Sequence, residues 1–128
     1  MIYLDTSVAL TQLFAEDRQP PEELWLEPLI ASRLLQHEVW NRVHARRLEA
    51  QHGDRVRTLL DGVAYIELTP LILARALEPF PEPVRTLDAL HLATMDFLRE
   101  HGQVIELASY DVRLLAAARA LGIATRTL

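Results

Sequence analysis

The 128-residue sequence contains no cysteine, which removes disulfides and thiolate zinc sites and suits a reducing cytoplasm. Lysine is absent too: all 13 basic residues are arginine. Glycine is scarce, with only Gly53, Gly62, Gly102 and Gly122. Each falls where a helix is expected to stop, so none is left for a phosphate-cradling loop or a dinucleotide-binding turn. No apolar run approaches the roughly 20 residues of a membrane span. Met1 leads straight into a strand-like segment with no signal-like stretch, so a soluble, cytoplasmic protein is expected. A basic surface is missing as well: the net charge is −5, which argues against phosphate binding by the protein surface alone. Arginine does suit bidentate phosphate contacts. A coding bias toward arginine, alanine and leucine is the simpler account of its exclusive use.

What is present is ordinary globular composition, half hydrophobic and 24% charged, long enough for one compact domain. Ile2 to Leu4 reads as a buried strand and Ser7 to Phe14 as a short helix. The acidic, proline-containing EDRQPPEE stretch reads as a loop. Pro28 to Ala31 predicts a second strand, and Ser32 a cap for one long helix from Arg33 to about Ala50. A shorter helix over Asp54 to Leu60, a strand over Ala64 to Leu68 and a helix over Leu71 to Leu77 follow. The EPFPEPV segment, with three prolines, is a rigid connection. Thr86 then caps a long helix ending at His101-Gly102, followed by strand Val104 to Ala108, helix Asp111 to Leu121 and strand Ile123 to Thr125. Short apolar strands alternating with helices predict an α/β layer fold with a mainly parallel sheet. In such sheets ligands collect at the carboxyl ends of the strands.

Four acids fall at such places or on an inward face. Asp5 directly follows the first strand. Asp111 follows Ala108 after only Ser109 and Tyr110, and Asp88 sits in the first turn of its helix. An aspartate in a first helical turn also complements the macrodipole, by about 0.3–1 kcal/mol, so Asp88 and Asp111 have a structural reading of equal standing. Asp5 is harder to explain that way, since it ends a buried strand and no strong helix opens at it. Glu38 lies within the apolar arc of Leu34, Leu35, Val39 and Val43, where a carboxylate is costly unless compensated. Two readings fit: an ion pair with Arg42 one turn on, or a metal or substrate role. Two carboxylates about 4 Å apart repel by about 4 kcal/mol at an effective dielectric near 20. A hard divalent cation removes that conflict and also supplies the positive charge that a phosphate needs. Haloacid-dehalogenase phosphatases and phospho-receiver domains gather acids in the same way, but both use a lysine in the site. The former also carry a second aspartate two residues after the first, where this chain has Ser7.

Other residues point elsewhere. His91 sits on an apolar face with Leu87, Met95 and Leu98 and reads as a hydrogen-bonded core histidine. His37 and His44 point away from the apolar arc and read as solvated, which leaves a histidine-based, metal-free site a poor fit. Arg42, Arg46 and Arg47 form either a patch facing nucleic acid or a solvated face. Arg85 is placed to meet phosphate or to neutralise the acids. Trp25 and Trp40 suit a dimer surface or the core equally.

The opening IYLDTSVAL, the helix segment LLQHEVWN, and the stretches RTLDALHLAT and ELASYDVRLLAAARALGI together resemble the motifs of PIN-domain proteins. More narrowly, they resemble the VapC toxins of bacterial toxin–antitoxin pairs. All four segments agree in order and spacing over nearly the whole chain. The resemblance implies one PIN-like domain over residues 1–128, a three-layer α/β/α sandwich with a central sheet of about four to five strands. It further implies that Asp5, Glu38, Asp88 and Asp111 form a catalytic quartet binding Mg²⁺ or Mn²⁺. Asp5, Asp88 and Asp111 would be the ligands, Asp5 and Asp88 the most direct. Thr6 or Ser7 would support the first aspartate by hydrogen bonding. The activity implied is endonucleolytic hydrolysis of structured RNA such as tRNA or rRNA, leaving a 5′-phosphate and a 3′-hydroxyl. The partners implied are a second copy in a homodimer and a small VapB-like antitoxin that inserts a segment, often with an arginine. The unusually acidic loop from Asp17 to Glu27 departs from the pattern and leaves the substrate-facing rim undefined. The alternative is an inactive PIN-like module that binds RNA or a protein without cutting.

Overall fold

In a computed structural model, residues 1–15 and 17–128 are described. Among them the strands are β1 (Ile2–Leu4), β2 (Leu29–Ser32), β3 (Val63–Ile66), β4 (Glu106–Ala108) and β5 (Ala124–Thr125). The helices are α1 (Thr6–Phe14), α2 (Leu34–Ala45), α3 (Glu49–Asp61), α4 (Pro70–Ala76), α5 (Thr86–Glu100) and α6 (Val112–Ala120). The five strands form one sheet in the order β3-β2-β1-β4-β5, every pair parallel.

Strand side chains alternate between faces. Ile2 and Leu4 of β1 and Leu29 and Ala31 of β2 join one core cluster with α1, α2 and α3. Tyr3 and Ile30 point the other way, into a cluster with α5 and α6. Two helical layers therefore cover the sheet, which completes an α/β/α sandwich, and α4 packs on α5. Trp25 and Trp40 both lie against the first cluster, partly buried. No described helix is long and apolar enough to cross a membrane. With this strand order, the first three strands run outward from β1 in one direction and the last two in the other. The carboxyl ends of β1 and β4 thus flank the point where the order reverses, the expected place for a site.

Several expected boundaries move. The long helix expected from Arg33 to Ala50 is two helices, and the short one expected at Asp54 is absorbed into α3. The break is a tight C-terminal turn in which Arg47 takes a left-handed φ of 55°. The Leu48 N–H bonds the Val43 carbonyl and the Arg47 N–H bonds that of His44. This pair of bonds is the Schellman arrangement, and it turns Leu48 in against the core. Helices α5 and α6 end the same way at Gly102 and Gly122, with φ of 79° and 81°. Only in α2 is the left-handed position held by a residue that does not announce it. Conversely, Gly53 ends nothing: it lies inside α3. Gly62 does follow α3, but at an ordinary φ of −82°. The cap of α5 is Arg85, one residue before the expected Thr86. Of the EDRQPPEE loop, Glu16 lies outside the described residues, Asp17 to Pro21 is irregular, and Glu22–Leu26 forms a short 3-10 turn.

Candidate active site

At the carboxyl ends of β1 and β4 a pocket of about 390 Å³ is lined by Asp5, Glu38, Asp88 and Asp111 together, with His91 and Arg42 among its other walls. Residues up to 106 positions apart, from Asp5 to Asp111, meet because each is fixed to the end of a strand or to a helix that faces that end.

Asp5 continues the ladder beyond β1, its N–H bonding the Ala108 carbonyl at 3.1 Å. Contrary to expectation, it does open a helix. It is the N-cap of α1, and its Oδ2 accepts the Ser7 N–H at 3.3 Å. The same oxygen accepts the hydroxyls of Ser7 at 2.6 Å and Ser109 at 2.8 Å. Ser7 and Ser109 are tied in turn to the other strand end. Ser7 Oγ accepts the Tyr110 N–H, and Ser109 Oγ accepts the Asp111 N–H, both at 2.9 Å. Two hydroxyls thereby lock the loops after β1 and β4 to one carboxylate. Of the two residues expected to support Asp5, Ser7 does so. The Thr6 hydroxyl is buried with no hydrogen-bond partner among the described residues, although the residue lines the pocket. Ser109 went unrecognised in the sequence. Its signal was a hydroxyl two residues before an acid, the spacing at which a serine takes a backbone N–H in a tight turn.

Asp111 caps α6, its Oδ1 accepting the N–H groups of Arg113 and Leu114 at 2.9 and 3.1 Å. The capping role and the position in the pocket coexist in one side chain. Asp88, in the first turn of α5, is partly buried. That burial, reinforced by the negative charges of Asp111, Asp5 and Glu38, pushes its carboxyl above the usual aspartate range, with His91 opposing. Asp88 is therefore within electrostatic reach of the other three acids.

Glu38 does not pair with Arg42. Its Oε1 meets His91 Nε2 at 2.6 Å, and Arg42 forms no ion pair among the described residues. His91 is buried, at 2% exposure, as expected of a core histidine, yet it also forms a wall of the acid pocket. Burial works against its charged form, but Glu38, Asp5 and Asp88 outweigh this and raise its pKa. The sequence signal was its place three residues after Asp88, on the same helical face. Arg46 and Arg47 belong to the turn after α2. They do not line the pocket, and neither does Arg85. His37 and His44 are exposed, as expected.

These donors suit a hard divalent cation. Asp5, Asp111 and Glu38 each commit one oxygen to the protein and leave the other without a hydrogen bond from the described residues. An orphaned hydroxyl, Thr6 Oγ1, stands in the same pocket. Among the described residues, no three acidic or histidine side chains are close enough to form a ready-made cage. The arrangement is therefore an open one. It is compatible with Mg²⁺, which takes one or two carboxylates and keeps several waters. A larger groove of about 1020 Å³ between α4, α5 and the proline-rich loop has an apolar lining, with Leu73, Leu77, Phe80 and Leu90. It gathers no comparable cluster of titratable groups.

Comparison with known proteins agrees with this architecture. A family model described as "PIN domain" matches residues 2–120. The chain is 33% identical to "Ribonuclease VapC47" of Mycobacterium tuberculosis (strain CDC 1551 / Oshkosh), over 98% of its own length and 95% of the relative's. It is 31% identical to "Ribonuclease VapC35" of the same organism, over 97% of its length and 94% of the relative's.

Proposed function

Because this chain belongs to the PIN-domain family and is of the VapC type, we propose that it is a divalent-metal-dependent endoribonuclease, the toxin of a toxin–antitoxin pair. The observation that carries the reading is that Asp5, Glu38, Asp88 and Asp111, from four separate parts of the chain, line one pocket at the strand ends. Asp5, Asp88 and Asp111 would hold Mg²⁺ or Mn²⁺. When bound, the ion neutralises the scissile phosphate and acidifies an attacking water.

The chain's own groups do the rest. The Ser7 and Ser109 hydroxyls hold Asp5 Oδ2, so Oδ1 is presented in one orientation. The N-terminal amides of α6 do the same for Asp111. Glu38 Oε2, without a partner among the described residues, is the base available to take a proton as water oxygen bonds to phosphorus and the P–O3′ bond breaks. The products are a 5′-phosphate and a 3′-hydroxyl. Arg42, unpaired among the described residues and at the pocket wall, is the cation placed to meet a phosphate beside the scissile one. Structured RNA such as tRNA or rRNA is the proposed substrate. A VapB-like antitoxin that covers the acids and a homodimeric cytoplasmic form belong to the same reading.

The spacing of the acids also suits a PIN-like module that binds without cutting, and one experiment separates the two. Purified protein freed of antitoxin is expected to cleave RNA with Mg²⁺ or Mn²⁺, and Asp5→Ala or Asp88→Asn to abolish the cleavage. Undiminished cutting in excess chelator would reject the metal mechanism. Metal binding without cleavage across a broad RNA panel would favour the binding module.

A further inference from the structure

We infer that His91 is a positioning residue for Glu38, the middle of a buried hydrogen-bond chain that fixes one oxygen of that carboxylate and leaves the other free in the acid pocket. The chain starts on the backbone of β2. The Ser32 N–H donates to the Tyr3 hydroxyl at 3.2 Å, and that hydroxyl meets His91 Nδ1 at 2.8 Å. Nε2 meets Glu38 Oε1 at 2.6 Å. Tyr3 and Ser32 are fully buried, and His91 is 2% exposed. An ionised carboxylate only accepts, so Nε2 carries a proton toward Glu38; the Tyr3 hydroxyl donates to Nδ1 of the neutral ring and accepts from Nδ1 of the charged one. The ring also stands edge-on to Tyr3, at 81° between planes, so it is held by packing as well as by bonds.

The geometry spans the molecule. Glu38 projects from α2, packed on one face of the sheet, and His91 from α5, packed on the other. Tyr3, from β1, holds the other ring nitrogen of His91 on the α5 side. An untethered Glu38 would have reason to leave, since Asp5, Asp88 and Asp111 in the same pocket repel it and its long side chain gains rotamer freedom in solvent. The histidine opposes both tendencies. A histidine serving the core alone needs only Tyr3, and its replacement would change stability without changing how the acids receive a cation.

The consequence for catalysis rests on the metal-nuclease reading above, and two substitutions isolate it. In His91→Gln the amide nitrogen can occupy the place of Nε2 and still donate to Glu38. In His91→Asn the side chain ends near the place of Nδ1, keeps Tyr3 as a partner and releases Glu38. The readouts are thermal unfolding of the metal-free protein, Mn²⁺ affinity by calorimetry without RNA, and single-turnover RNA cleavage. Glu38, the proposed base, also adds a negative charge beside the three proposed ligands, and partners that orient such groups typically contribute 10–100-fold, so His91→Asn is expected to lose about tenfold or more in cleavage and to bind Mn²⁺ more weakly. His91→Gln is expected to restore most of both at similar metal-free stability. Tyr3→Phe, which removes the link to β2 and retains His91 and Glu38, is expected to weaken Mn²⁺ binding as well. Equal losses in the Asn and Gln variants that merely track stability would overturn the inference. Wild-type Mn²⁺ binding and cleavage in the Asn or Phe variant would overturn it too. A wild-type protein that neither binds Mn²⁺ nor cuts RNA would instead bring down the nuclease reading, and this inference with it.

Discussion

Ser109 joins the loop after β1 to the loop after β4. It donates to Asp5 Oδ2 at 2.8 Å and accepts the Asp111 N–H at 2.9 Å, so one hydroxyl serves two members of the acid cluster. Replacing it with alanine removes a charge-assisted bond and strands a partly buried N–H. Ser109→Ala is therefore expected to destabilise the protein by roughly 1–3 kcal/mol in urea unfolding. Single-turnover cleavage should fall by more than the stability loss explains, because the free oxygen of Asp5 is no longer presented in one orientation. Cleavage at the wild-type rate by fully folded Ser109→Ala would show that Ser7 alone suffices. At this scale, much of the site was legible. Asp5, Glu38, Asp88 and Asp111 declared themselves by their places beside strands and on an inward helix face. His91 was read as core, which it is, but its second bond could not be foreseen. Glu38 and His91 are 53 positions apart, and nothing local fixes the distance between α2 and α5.

At the scale of elements, three helices end in the same left-handed turn, two with glycine and one with Arg47. The glycines of α5 and α6 made those ends readable. The end of α2 was not, because an arginine can occupy that conformation only at a cost, here offset by the burial of Leu48. Gly53 is the converse case, a glycine in a helix interior with no turn to make. A Cβ there would meet the tip of the flexible Arg57 side chain at 2.9 Å, which can swing aside. Gly53→Ala is therefore expected to stabilise the protein by about 0.5–1 kcal/mol through helix propensity. A Cβ at Gly102 meets nothing within 4 Å, yet the φ of 79° remains. Gly102→Ala should thus destabilise by about 1–2 kcal/mol from backbone strain alone. Urea unfolding of the two variants side by side tests both signs, and shifts of the same sign would contradict the assignment of their roles.

At the scale of the whole molecule, the convergence of acids at the proposed site works against stability. The carboxyl of Asp88 titrates above its usual 3.8, mainly through burial and then through its acidic neighbours. A carboxyl raised in this way binds its proton more tightly folded than unfolded. Its penalty is thus absent below the unfolded pKa and grows as pH rises through the folded one. Metal-free Asp88→Asn is accordingly expected to be more stable than wild type at pH 7, with the difference vanishing once pH falls below the carboxylate range. Mn²⁺ should raise the melting temperature of the wild type and have much less effect on the variant, since a ligand stabilises only the state that binds it. Thermal unfolding at acidic and neutral pH, with and without Mn²⁺, measures both. An Asp88→Asn protein less stable than wild type at neutral pH would show that Asp88 serves the fold and is not held there at its expense.

The sequence by itself determined the class of fold, since short apolar strands alternating with amphipathic helices have few other ways to bury their faces. It also determined which acids stand at strand ends, because a residue that follows a strand in a parallel sheet can only emerge on one edge. Tertiary structure decided the pairings. It gave Glu38 to His91 instead of Arg42, bound Asp5 to Ser109 across the β1–β4 boundary, left Arg85 outside the pocket and broke the long helix at Arg47. Each of these turns on the separation of groups on different elements. Packing of the two helical layers against the sheet fixes that separation, and no local preference along the chain encodes it.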